Sequence, residues 1–171
     1  MSDALGQSLG PAADVCLNAM LPTNCPSGAL VYGYGGNPQA WLGGASIPQA
    51  CWIWRADVTP TGQAAPQVAV FEKTFDLGSG PTGTMQISVD DFAEVFANQT
   101  SVGSIGSVSD IAAASSAQDS LTTIDLTPAL RAGENTITVV GQNGPYGCGS
   151  SAGCSYSRDP AGVVFAGTLR W

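Results

Sequence analysis

The stretch that most limits what this chain can fold into is residues 85–103, MQISVDDFAEVFANQTSVG. Met85, Ile87 and Val89 alternate with Gln86 and Ser88, a period of two that suits a half-buried strand. Asp90 and Asp91 break the run. Beyond them Ala93, Val95 and Ala97 alternate with Phe92, Glu94 and Phe96, so that both faces carry apolar residues, as a strand inside a sandwich does. Asn98-Gln99 supplies a turn, because asparagine tolerates positive φ, and a return strand begins after it. The pattern predicts two strands joined at an acidic corner and then a hairpin.

The rest of the chain repeats this style. Residues 51–55, CWIWR, read as a strand with Trp52 and Trp54 on one face and Ile53 on the other. Residues 68–77, VAVFEKTFDL, read as a second, closed by a Gly-Ser-Gly-Pro turn. Asp110 is placed to cap a short helix over 111–117. Thr127-Pro128 predicts a single helical turn, with Thr127 as its cap and Gly133 as its stop, before a β-branched strand over 136–140. Residues 161–171 alternate as a last strand. With Gly 22, Pro 11 and only 11% charged residues, the chain is a turn-rich all-β protein rather than a helical one. The expected organisation is an N-terminal arm and aromatic loop over 1–49, packed on a β-sandwich over 50–171.

Charge and composition exclude several function classes. A net charge of −8, with 5 cations in 171 residues, leaves no basic cluster for nucleic acid or an anionic membrane surface. No apolar run reaches the length of a membrane span. The N-terminus, MSDALGQSLG, lacks the basic start and apolar core of a signal peptide. The expected location is nonetheless extracellular, on a cell surface or in a virion, because the cysteines suggest an oxidising environment. Cys16 with Cys25 brackets a proline-containing loop, and Cys148 with Cys154 a glycine-rich one. Either pair could close as a disulfide or stay reduced. Cys51 reads as a small buried hydrophobe.

With no histidine in the chain, Ser-His-Asp and Cys-His catalysis are impossible. A glycosidase needs two carboxylates facing each other across a cleft, whereas Asp90, Asp91 and Glu94 occupy successive positions of one strand and corner. Asp91 is expected to hold the corner through backbone N–H groups, the alternative being a structural calcium held by Asp90 or Asp91 with loop carbonyls. No other cofactor is expected, and the chain reads as a non-enzyme. Binding chemistry concentrates in two loops. The first carries Tyr32, Tyr34, Asn37 and Trp41; the second carries Asn143, Tyr146, Tyr156, Arg158 and Asp159. Aromatic rings can stack on the apolar faces of sugars, and a guanidinium beside a carboxylate matches vicinal hydroxyls. Asn98-Gln99-Thr100 also matches an N-glycosylation acceptor.

Four motifs in order over residues 50–171, ACWIW, VFEKTFDL, ISVDDFAEVFANQTSVG, and IDLTPALRAGENTITVV followed by AGVVFAGTLRW, resemble the galactose-binding-like jelly-roll domains. The third motif departs from the family pattern at Asn98-Gln99, where Asn-Gly is usual, and keeps Val102-Gly103. The resemblance implies an antiparallel β-sandwich with jelly-roll topology and ligand loops at one end, as in carbohydrate-binding modules, lectins and the non-catalytic parts of glycosidases. The fucose-binding branch of that fold relies on a histidine that this chain lacks. The expected function is therefore a non-catalytic, lectin-like domain for surface or polymeric glycans. The alternative is a structural assembly subunit, for example of a virion or appendage, working as a homo-oligomer.

Overall fold

The computed structural model of the chain describes residues 32–33, 37–38, 45, 47, 50, 52–54, 67–146, 154–156 and 158–171. A two-residue pair, β1 (Tyr32–Gly33) with β2 (Asn37–Pro38), precedes the main body. That body holds β3 (Gln67–Leu77), β4 (Thr82–Asp90), β5 (Phe92–Ala97), β6 (Thr100–Gly106), a helix α1 (Ile111–Asp119), β7 (Thr122–Asp125), a 3-10 turn (Thr127–Ala129), β8 (Gly133–Asn143) and β9 (Gly162–Arg170). The strands form two antiparallel sheets, one in the order β3-β8-β5-β6 and the other β7-β4-β9. This is the all-β sandwich expected from the alternating sequence.

The period of two decides which side chains fill the space between the sheets. Met85, Ile87 and Val89 of β4 and Ala93, Val95 and Ala97 of β5 are fully buried, and they meet Ile137 and Val139 of β8 and Val163, Phe165 and Leu169 of β9 in one core. Each large aliphatic side chain buried there contributes about 1.5–3 kcal/mol. Since β4 and β5 lie in different sheets, the Asp90-Asp91 corner carries the chain across the sandwich. Asp90 and Asp91 are joined by a cis peptide bond. Asn98 and Gln99 turn the β5–β6 hairpin with φ of 50° and 68°, as their residue types allow.

Three local expectations change in detail. The tryptophan segment contributes one bridge, Ile53 to Val163, rather than a full strand. Ile53 enters the core while Trp54 turns to a second, smaller cluster with Ala69, Tyr156 and Ala161. The Trp54 ring fits there because Gly141 has no side chain: a Cβ at that position would lie 2.7 Å from it. At the 3-10 turn Leu126, not Thr127, occupies the cap position, and the Thr127 hydroxyl accepts instead from the Gly83 N–H at 3.1 Å. Gly133 does not stop that turn; it opens β8, with φ of 89°. Asp110 caps α1 as expected, accepting from the N–H groups of Ala112 and Ala113 at 2.9 and 3.3 Å. Among the described residues no helix is long and apolar enough to cross a membrane.

Candidate functional site

The acidic corner, the end of β8 and the segment before β9 converge at one end of the sandwich. The polar side chains buried there include Asp90, Asp91, Asn143 and Asp159. Removing a carboxylate from water is costly, so the first question is what compensates these acids. Burial, the neighbouring charge of Asp91, a hydrogen bond to Asp91 and the charge of Asp159 together push the Asp90 carboxyl up from 3.8 to about 9. Asp90 is therefore a neutral acid at neutral pH and donates to the Asp91 carboxylate. Burial raises Asp91 as well, and the hydrogen bonds from Asp90 and the Gly144 backbone pull it partly back. The Gly144 N–H reaches Asp91 Oδ2 at 2.7 Å.

The Asp91 backbone is tied down equally firmly. Its N–H donates to the Gln142 carbonyl at 3.3 Å, and its carbonyl accepts from the Ser107 N–H at 3.1 Å. Gly106 passes so close that a Cβ there would lie 1.9 Å from the Asp91 carbonyl oxygen, with φ of 75° besides. The corner thus locks β4, β5, the end of β6 and the loop after β8 together, which is the structural role the sequence suggested for Asp91. Among the described residues no group of three or more His, Cys, Asp or Glu side chains converges as a metal site would require.

The second binding loop is split by burial. Tyr156 is buried, its hydroxyl accepting from Trp54 Nε1 at 3.2 Å, so its ring supports the small cluster and offers no open face. Asn143 Nδ2 lies 3.5 Å from both the Asp159 carbonyl and Asp159 Oδ2, and Cys154 Sγ lies 3.5 Å from the same carboxyl oxygen. Asn143 and Asp159 therefore face inward, whereas Arg158 is exposed; the structure does not present Arg158 and Asp159 as a joined pair to solvent. Tyr146 is half-buried beside Gly144, and its hydroxyl oxygen is enclosed without a hydrogen-bond partner among the described residues. Of the five candidates Asn143, Tyr146, Tyr156, Arg158 and Asp159, Arg158 and Tyr146 are thus the two that keep exposed surface.

In the first loop only the backbone of Tyr32 and Asn37 is described, in β1 and β2; Tyr34 and Trp41 lie outside the described residues. So do Cys16, Cys25, Cys51 and Cys148; Cys154, the one described cysteine, is disulfide-bonded. Two surface residues were not singled out from sequence. Val108 and Ile111, 40% and 59% exposed, flank the start of α1, and Val108 packs against Gly144 next to Tyr146. An isoleucine at the first position of an Ala- and Ser-rich helix was the available signal. Asn98, the asparagine of the glycosylation motif, donates from Nδ2 to the Ala129 carbonyl and Asn135 Oδ1, both at 2.8 Å.

No family model matches the sequence, and a search of curated proteins finds no match. Solved structures do show a likeness. The chain is similar to part of an α-L-rhamnosidase from Streptomyces avermitilis complexed with L-rhamnose, at 23% identity and a TM-score of 0.50, covering 82% of this chain and 12% of that one. It is also similar to an α-L-rhamnosidase from Aspergillus terreus, at 21% identity and a TM-score of 0.44, covering 63% of this chain and 13% of that one. An FMN-binding β-glucuronidase from Facaelibacterium prausnitzii L2-6 gives 18% identity and a TM-score of 0.39, covering 60% of this chain and 16% of that one. At such identities the likeness is one of fold. This chain spans a small fraction of each of these enzymes.

Proposed function

We propose that the chain is a non-catalytic carbohydrate-binding domain of the galactose-binding-like jelly-roll type, acting outside the cytoplasm on surface or polymeric glycans. The observation that carries this reading is the end of the sandwich. There the acids that could have served as a catalytic pair are adjacent, buried and hydrogen-bonded to each other, while Tyr146 keeps exposed surface near the apolar Val108 and Arg158 is exposed. An aromatic ring, an apolar rim and a guanidinium suit the mixed faces of a sugar. Glycosidase chemistry would need two carboxylates separated by room for substrate, which this corner does not supply. The fold likeness to a minor part of an enzyme complexed with L-rhamnose is consistent with an accessory module.

A glycan array probed with the purified chain, followed by calorimetric titration of the best hit, tests the reading. Saturable binding by a monomer, lost in Tyr146→Ala or Arg158→Ala, is expected; unchanged binding in both variants removes the site assignment. A second reading, a structural assembly subunit, is favoured by one observation: Val68 and Val70, 50% and 57% exposed, lie on the outward face of the edge strand β3. A symmetric oligomer without array hits supports that reading.

A further inference from the structure

The outward face of the β3-β8-β5-β6 sheet holds a polar groove that the loop-end site does not use. Residues directly opposite in antiparallel register share a face. Thr74 thus stands beside Thr136, and Glu72 beside Thr138, which in turn stands beside Phe96. The side chains of Glu72, Thr74, Thr136 and Thr138 form the floor of a cavity of about 530 Å³, within the range of about 300–1,000 Å³ usual for small-molecule sites. One wall is the hairpin turn at Asn98-Gln99, and the other is Arg131, just ahead of β8, with Glu134 at the start of that strand.

Both walls are fixed before any ligand arrives. Asn98 pins the hairpin turn to the neighbouring segments, because its Oδ1 accepts from the Thr136 N–H at 3.0 Å while its Nδ2 makes the two bonds described above. Arg131 is held through Nε, which donates to the Glu134 carbonyl at 3.1 Å, and through its own N–H, which donates to Asn135 Oδ1 at 2.9 Å. The floor is ordered too. Thr74 and Thr136 hydroxyls lie 3.0 Å apart, and the Thr138 hydroxyl donates to Glu72 Oε1 at 3.1 Å. Fixed groups lower the entropy that binding must overcome.

The chemistry of the lining selects the ligand class. Two carboxylates against one guanidinium disfavour an anion, and among the described residues no third acid joins them to hold a cation. Three threonine hydroxyls, which both donate and accept, a guanidinium that only donates and carboxylates that only accept match a neutral molecule dense in hydroxyl groups. We infer that this groove is a second saccharide-binding site, for a neutral oligosaccharide, on the sheet face away from the loop end. The inference rests on the carbohydrate-binding reading and extends it to a separate surface.

Backbone NMR of the isotope-labelled chain, titrated with neutral gluco-, manno-, xylo- and galacto-oligosaccharides from di- to hexasaccharide, tests it. The amides of Thr74, Gln99 and Thr136 report the groove, and those of Tyr146 and Arg158 the loop end. Expected are saturable shifts in the groove set, with affinity at least tenfold weaker in Glu72→Ala and in Arg131→Ala. Both replaced residues are exposed, and unchanged spectra elsewhere show that each variant is folded. Shifts confined to the loop-end set, or groove shifts indifferent to both substitutions, overturn the second site and leave the carbohydrate reading standing. No shift in either set with any oligosaccharide overturns both.

Discussion

Replacing Asp90 by asparagine should make the protein more stable at neutral pH, contrary to the usual outcome of altering a buried residue. The Asp90 carboxyl is raised from 3.8 to about 9, chiefly by burial and then by Asp91. Between those two values the folded chain keeps a proton that the unfolded chain releases. Stability linked to this group is complete below the unfolded value and is lost as pH rises toward the folded one. From pH 4 to pH 7 the loss spans roughly three pH units at about 1.36 kcal/mol each, or about 4 kcal/mol. That figure is reached only if the corner stays dry, so a loss of about 2–4 kcal/mol is expected. Asparagine has nearly the same shape and can donate to Asp91 as the protonated acid does, but it does not titrate. Urea unfolding at a series of pH values, followed by tryptophan fluorescence, gives the comparison. Asp90→Asn should match the parent within about 1 kcal/mol at pH 4 and exceed it by about 2–4 kcal/mol at pH 7. Parallel pH curves for the two proteins would refute the shared-proton corner.

Gly106→Ala meets both a positive φ and the Asp91 carbonyl, so it should cost more than about 3 kcal/mol or prevent folding, read by circular dichroism and denaturant midpoint. Asp110→Ala removes the α1 cap and should cost about 1 kcal/mol, while Asp110→Asn should keep most of it. Millimolar calcium should move the melting temperature by less than about 1 °C, since ligand stabilisation requires a site that prefers the folded state; a rise of several degrees, reversed by chelator, would make Asp90 and Asp91 a cation site instead.

The fold was largely legible because strand periodicity is a local signal. Met85 to Val89 and Ala93 to Ala97 point inward as their alternation demands, and Asn98-Gln99 turns as its residue types permit. Asp110 could be placed as a cap because its partners are two and three residues away. The tryptophan segment was harder: alternation identifies a segment able to pair, but only the tertiary structure decides that Ile53 makes a single bridge and Trp54 leaves for another cluster. The binding loops were least legible. Tyr156 and Asp159 have the residue types of ligand contacts, yet nothing periodic reports that one is buried under Trp54 and the other faces Asn143. The charge state of Asp90 depends partly on Asp159, far along the chain, and the sheet-face groove joins β3, β8 and the β5–β6 turn. Such properties arise from contacts between distant segments, which a local pattern does not record.

The central claim is glycan binding at the loop end by a single chain. Titration calorimetry of the purified protein against its best array glycan, with its size measured in the same buffer, tests this most directly. Saturable binding by a monomer is expected, disappearing in Tyr146→Ala or Arg158→Ala while the variants stay folded. A symmetric oligomer that binds no glycan would contradict it.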